Sequence, residues 1–137
     1  MAAGEDLYSK VFVNTDITRG ELAHVIAASL DGVVEASTVQ AQGGELDIED
    51  NEDFDPEQVD TPDGFLFYRY YLDVFPAEDQ TREVQVAVVS RLLESLWAEG
   101  WPAVAAADFE EELPRRGGYN PSTPRGPQTG TVNDDAS

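Results

Sequence analysis

Carboxylates are the residues of this sequence whose number and spacing could do chemistry, and they are concentrated in one stretch. Residues 45–63 read ELDIEDNEDFDPEQVDTPD and hold ten Asp and Glu side chains but no Lys or Arg. Between Arg19 and Arg69 the chain has no basic residue of either type. Such a cluster could bind a cation, imitate a nucleic acid, meet a basic protein or form a solvated loop.

The acidic stretch lacks the residues that the turn of a calcium-binding loop requires. An EF-hand loop needs Gly at its sixth position and a bidentate Glu at its twelfth. A loop that begins at Asp47 has Glu52 and Gln58 at those two positions. The stretch therefore predicts at most a weak, unspecific site for divalent cations, and we expect no dedicated metal or cofactor.

The sequence contains no recognisable catalytic constellation. It has no Cys, and its single His, His24, lies beside the apolar stripe of a predicted helix. Hydrolysis by paired carboxylates needs two acids in contrasting environments, which ten crowded acids do not offer. G-x-S-x-G, H-E-x-x-H and Gly-rich phosphate loops are absent. We predict a protein that is not an enzyme.

The composition predicts a folded domain of strongly negative charge. The chain has 137 residues, is 41% hydrophobic and carries a formal net charge of −20. This charge disfavours contact with nucleic acids and anionic membranes, because such contacts depend on Lys and Arg. Residues 1–10 carry acids where a signal peptide has a basic region, and no run approaches the ~20 apolar residues of a membrane span. We therefore expect a cytoplasmic protein.

The apolar spacing predicts a single α+β domain over residues 1–113. One helix follows a capping box at Thr18 and ends at Gly32, and another begins at Pro76 and Asp79 and ends at Gly100. Strands are predicted around residues 7–14, 33–41, 45–51, 65–75 and 102–107, with a loop at 53–64. This order favours a ferredoxin-like, or split βαβ, antiparallel sheet with two helices on one face. Residues 114–137 are rich in Pro, Gly, Ser and Thr and predict a disordered tail.

The strand predicted at residues 65–75 has two different faces. One is expected to face the helices, and it holds Leu66, Tyr68, Tyr70, Leu72 and Val74. The other is aromatic, and it holds Phe65, Phe67, Tyr71 and Phe75 together with Arg69 and Asp73. We expect protein to cover this aromatic face, from the same chain or from another copy.

Three blocks of the sequence carry a resemblance to known proteins: ELDIEDNEDFD, DGFLFYRYYLDVFP and LLESLWAEGWPAVAAADFEEELP. Together they resemble small acidic bacterial proteins associated with the immunity side of toxin–immunity systems. The resemblance spans roughly residues 7–116. It implies inhibition of a toxin and assigns no functional residue.

Charge and resemblance together favour a non-enzymatic protein that binds and neutralises a basic protein partner. The partner is expected to be a toxin, or a DNA-binding protein that this chain would occupy as a DNA mimic. The residues predicted to bind it are Asp47, Glu49, Asp50, Glu52, Asp53, Phe54, Asp55 and Glu57. The alternative is a structural or assembly subunit that self-associates, for example as a homodimer, through the aromatic sheet face.

Overall fold

The computed structural model describes residues 7–41, 44–61 and 63–118. In chain order its helices and strands are β1 (Ser9–Val13), α1 (Arg19–Leu30), β2 (Val33–Glu35), β3 (Thr38–Ala41), β4 (Gly44–Asp50), β5 (Tyr70–Pro76), α2 (Arg82–Ala98) and β6 (Ala103–Ala107). Short 3₁₀ helices lie at Gly64–Phe67, Glu110–Glu112 and Pro114–Gly117.

The start of α1 follows from its predicted capping box. The Thr18 hydroxyl accepts the N–H of Glu21 at 3.1 Å, and the Glu21 carboxylate accepts the N–H of Thr18 at 2.9 Å. The helix ends at Asp31, whose φ of 56° is left-handed. Gly32 follows it, and a Cβ at that position would lie 2.8 Å from the carbonyl oxygen of Gln40. The glycine therefore lets the chain leave the helix directly beneath β3.

The strands form one antiparallel sheet in the order β2-β3-β4-β5-β1-β6. Successive side chains of a strand point to opposite faces of the sheet. One face is apolar and shares a single core with both helices. The strands contribute Val11, Val13, Val39, Leu46, Ile48, Tyr70, Leu72, Val74, Ala103 and Ala105. The helices contribute Leu22, Ile26, Val89, Leu92, Leu93 and Leu96. We call the opposite face the open face.

The predicted α+β class, with two helices and an antiparallel sheet, is confirmed. The sheet has six strands because a turn at Ala36 and Ser37 divides the apolar run of residues 33–41 into β2 and β3. This hairpin extends the sheet beyond β4. The ferredoxin-like detail stays a prediction.

The strand predicted over residues 65–75 is wrong in its first half. Gly64–Phe67 form a 3₁₀ turn, and β5 begins only after it. Leu66 is consequently 45% exposed instead of facing the helices. The side-chain amide of Asn51 donates to the carbonyl oxygens of Leu66 and Tyr68, which favours the turn over a continuous β-ladder in this segment.

Helix α2 begins later than predicted. Pro76 is the last residue of β5, and Asp79 lies in a turn with a left-handed φ of 64°. The helix starts at Arg82 because the Thr81 side chain caps it, accepting the N–H of Val84 at 3.2 Å.

The segment after β6 folds back onto α2. Phe109 and Leu113 are buried, and the guanidinium of Arg115 lies 4.5 Å from the centre of a Trp97 ring. The described fold therefore continues to residue 118. The disordered tail predicted for residues 114–137 otherwise falls on residues 119–137, which lie outside the described part of the chain.

Candidate functional site

The acids of residues 45–57 occupy two connected places in the fold. Glu45, Asp47 and Glu49 alternate along the open face of β4, opposite the buried Leu46 and Ile48. The strand predicted around residues 45–51 is confirmed. The acids that follow lie in a loop, which we call the acidic loop (residues 51–61), between β4 and the 3₁₀ turn.

Asn51 holds the acidic loop in one shape. Its side-chain amide donates to the carbonyl oxygens of Leu66 at 3.0 Å and Tyr68 at 2.7 Å. Its side-chain oxygen accepts the N–H of Asp53 at 3.0 Å, and its backbone N–H donates to the carbonyl oxygen of Arg69 at 2.9 Å. This role was not predicted from the sequence, because the Asn51 side chain has the same shape as the Asp side chains around it.

Asp55 organises the second part of the loop. Its carboxylate accepts the N–H of Glu57 at 3.0 Å and the side-chain amide of Gln58 at 3.4 Å. Its own N–H donates to the carbonyl oxygen of Phe67 at 3.1 Å, which fastens the loop to the 3₁₀ turn. Within the described residues, Asp55 therefore stabilises the turn that presents its neighbours, and it is half-buried.

The other predicted loop residues point outward. Glu52, Asp53 and Glu57 are exposed, and no ion pair to them is seen within residues 7–41, 44–61 and 63–118. Asp50, the last residue of β4, does form an ion pair, since its carboxylate lies 3.3 Å from the Arg19 guanidinium. Both side chains of that pair are well exposed, so it contributes little to stability.

Phe54 is the large apolar side chain of the acidic loop, and it is 42% exposed. Leu66, which is 45% exposed, lies in the segment to which the loop is hydrogen-bonded. An exposed ring among carboxylates is the arrangement expected of an apolar anchor surrounded by charges. The role in partner binding that the sequence suggests for Phe54 stays a prediction.

The pairing of β4 with β5 adds further residues to the site. Which of these residues lie opposite one another could not be predicted from the sequence. On the open face Glu45 lies opposite Phe75, Asp47 opposite Asp73, and Glu49 opposite Tyr71. Two carboxylates directly opposite each other repel. Two hydroxyl groups offset this: that of Thr38 donates to Asp47 at 2.8 Å, and that of Tyr8 donates to Asp73.

A lysine also balances this part of the open face. Lys10 of β1 lies opposite Asp73 in the register, and its ammonium is 4.1 Å from the centre of the Tyr71 ring and 5.3 Å from that of Phe12. This pairing places one cation beside the acidic row. It is the cation–π geometry that proteins use to hold ammonium groups.

The aromatic outer face predicted for residues 65–75 is only partly formed. Tyr71 and Phe75 lie on the open face, but Phe65 belongs to the 3₁₀ turn and packs edge-on against Phe12, with ring centres 5.3 Å apart. Phe12 is only 7% exposed as a result. Arg69 turns away from the face and donates to the carbonyl oxygen of Thr15 at 3.4 Å.

Two tyrosines beside the site hold their protons more tightly than usual. Burial, followed by the negative charge of Asp60, raises the pKa of Tyr68. Burial, followed by the charges of Asp73, Glu49 and Glu52, raises the pKa of Tyr71. In both cases burial and nearby carboxylates disfavour the charged phenolate.

Among the described residues no group of three or more His, Asp and Glu side chains is arranged to hold a metal ion. His24 is exposed on α1, away from the core. No helix in the described part of the chain has both the length and the apolar character that a bilayer crossing demands.

Compared with known proteins, the chain matches no protein-family model, no curated protein sequence and no solved structure. The predicted resemblance to immunity proteins therefore stays a prediction, and the function has to be argued from the surface of the molecule itself.

Proposed function

We propose that this chain is a non-enzymatic cytoplasmic protein that binds a basic protein partner through the acidic loop and the neighbouring acids of β4. Neutralisation of a toxin is the form of this function that the sequence resemblance favours. A DNA-binding protein held by a DNA mimic is the variant. In both cases the partner surface is rich in Lys and Arg.

The observation that carries the proposal is the shape of the acidic loop. Hydrogen bonds from Asn51 and to Asp55 fix the loop before any partner arrives. A preformed loop loses less conformational entropy on binding than a flexible one. Its exposed acids gain nothing from internal ion pairs in the described residues, so their charge is available to an incoming basic surface.

The carboxylates and the Phe54 ring contribute in different ways to the proposed contact. Clustered carboxylates speed the encounter with a basic protein and select it over other partners, but they add less to affinity. The buried centre of an interface supplies most of the affinity, and there aromatic residues dominate. Phe54 lies in sequence between Asp53 and Asp55 and supplies such a ring.

Affinity capture with three baits tests the proposal. The first bait is the full chain, and the second carries Glu52→Gln, Asp53→Asn and Glu57→Gln. The third carries Glu83→Gln, Glu94→Gln and Glu99→Gln, at exposed positions of α2 and its C-cap. The second and third baits lose the same charge at different places. We expect a basic protein that binds the first and third baits, is lost from the second and is released by high salt.

Two further results bear on this proposal. Addition of the purified chain should abolish the harmful activity of the captured protein if neutralisation is the function. Equal loss from the second and third baits would instead show that only net charge matters, and it would contradict a specific contact at the acidic loop.

Self-association is a second candidate, favoured by the 41% exposed Phe75 of β5 and the 68% exposed Val33 of the edge strand β2, which both lie on the open face. An assembly held by apolar contacts should persist in high salt, because salt screens charges and not apolar burial. Sedimentation velocity at low and high salt distinguishes the two proposals. A monomer under both conditions would contradict the assembly function.

A further inference from the structure

The open face of β4 and β5 repeats one chemical motif, a carboxylate beside an aromatic ring. Glu49 lies opposite Tyr71 at one end, Glu45 lies opposite Phe75 at the other, and the Asp47–Asp73 pair lies between them. A ring next to a carboxylate binds a cationic side chain in two ways at once, through the face of the ring and through the charge. Such a face is therefore suited to Lys or Arg.

The molecule already contains one occupied example. Lys10 places its ammonium 4.1 Å from the centre of the Tyr71 ring, and in the strand register it lies opposite Asp73. The cation and the ring thus come together on this face without any partner, and Asp73 lies opposite the lysine in the register. This internal contact shows which chemistry the face accepts.

The other end of the motif is open. The Phe75 ring is 41% exposed and leans on Tyr8 at a centre-to-centre distance of 5.6 Å. It borders a shallow depression of about 510 Å³ that is lined by Gln40, Ala41, Gly44, Glu45, Phe75, Pro76 and Ala77. Gln40 donates to Glu45 at 3.0 Å and so holds that carboxylate at the edge of the depression.

We infer that the depression at Phe75 and Glu45 is a subsite for an arginine side chain of the basic partner. This inference rests on the proposed function and names the chemistry that the partner brings. A planar guanidinium can stack on the Phe75 ring while its N–H groups donate to the Glu45 carboxylate. Lysine has no flat face to stack, so the subsite prefers arginine.

Titration of the full chain with a hexa-arginine peptide, blocked at both ends, tests the subsite. The readouts are the NMR resonances of the Phe75 ring and the dissociation constant at low salt. We expect the ring resonances to move, and Phe75→Leu to weaken hexa-arginine binding about two- to five-fold, as loss of one exposed cation–π contact implies. Hexa-lysine should bind more weakly and lose less.

The control is Val84→Ala, which shortens an equally exposed apolar side chain on α2, on the opposite face of the sheet. It should leave hexa-arginine affinity unchanged, and amide spectra of both variants should show the native fold. Unmoved Phe75 resonances at saturation, or equal affinity in Phe75→Leu, would overturn the subsite.

A further variant separates failure of the subsite from failure of the proposed function. If Phe75→Leu has no effect while the Glu52, Asp53 and Glu57 amide variant weakens binding, the acidic loop alone receives the basic partner. If neither variant weakens binding, the subsite and the proposed loop contact both fail.

Discussion

Asn51 shows how one uncharged residue can determine the shape of a charged surface. Its amide group both donates and accepts, so it can bind two carbonyl oxygens and one N–H at the same time. An Asp at this place would keep the acceptor and lose both donors. The acids around Asn51 supply the charge, and Asn51 supplies the geometry.

We expect Asn51→Ala to lower the free energy of unfolding by about 1–3 kcal/mol, because it leaves carbonyl oxygens of residues 66 and 68 without their partner. Asn51→Asp should be at least as harmful, since a carboxylate would then face those oxygens. Urea unfolding of both variants measures the effect. Asp53→Asn, a change of similar size on an exposed neighbour, is the control, and an Asn51→Asp variant of native stability would contradict the assigned hydrogen bonds.

The raised pKa of Tyr68 predicts that the stability of the fold depends on pH in the alkaline range. The pKa of this tyrosine lies above the ordinary value of 10.0, so the folded state holds the phenolic proton more tightly than the unfolded state. Below pH 10 both states are protonated and the stability does not depend on this group; as pH rises beyond 10 the unfolded state loses its proton first and stability falls. Urea unfolding at pH 9 and pH 11 should show this loss, and Tyr68→Phe should reduce it.

The Asp60→Asn variant is the control for the predicted pKa of Tyr68. Asp60→Asn removes the charge that helps to raise the pKa of Tyr68, so tyrosinate absorbance should appear at lower pH in this variant. An unchanged absorbance titration in Asp60→Asn and an unchanged alkaline loss in Tyr68→Phe would together show that the environment of Tyr68 is different.

At the scale of elements, the sequence predicted what depends on local patterns. The capping box at Thr18 and the strand predicted around residues 45–51 each lie within one segment, and each is confirmed. The strand prediction is wrong at residues 65–67 because their apolar and aromatic side chains are as typical of a strand as of a turn. The partner that favours a turn there is Asn51, about fifteen residues away, and no local pattern contains it.

The same limit applies to the candidate site. The predicted acids do lie together, since they are consecutive in the chain. The sequence also placed Tyr71, Asp73 and Phe75 on one face. It could not show that Asp73 lies opposite Asp47, because strand register depends on hydrogen bonds between segments more than twenty residues apart.

The β2–β3 hairpin carries a backbone prediction. Ala36 begins its two-residue turn with a left-handed φ of 59°, which an L-residue with a Cβ adopts at a cost. Ala36→Gly should raise the free energy of unfolding by roughly 0.5–1 kcal/mol. Ala28→Gly, an exposed change inside α1, should lower it by about the same amount. Thermal or urea unfolding of the two variants shows whether each change raises or lowers the free energy of unfolding. A lower free energy of unfolding in both variants would contradict the turn.

At the scale of the whole molecule, the dominant quantity is the net charge of −20. Like charges repel more strongly in the compact state than in an extended chain, so added salt should stabilise the fold. We expect the Tm to rise between 10 and 300 mM NaCl, at roughly 4–8 °C for each kcal/mol gained. The triple amide variant of the acidic loop should start higher and rise less. A Tm that falls with salt would contradict a fold limited by self-repulsion.

The outer strands of the sheet give this charge a second consequence, which concerns aggregation. β2 has only three residues, and on β6 the Trp97 indole already occupies the carbonyl oxygen of Ala103 at 3.1 Å. Both edges are therefore poor templates for adding strands from another copy. Near the isoelectric point of about 4.1 the copies no longer repel one another and should cluster through neutralised surfaces. We expect turbidity at that pH that clears on return to neutral pH, without the dye-binding fibrils that a bare β-edge would seed.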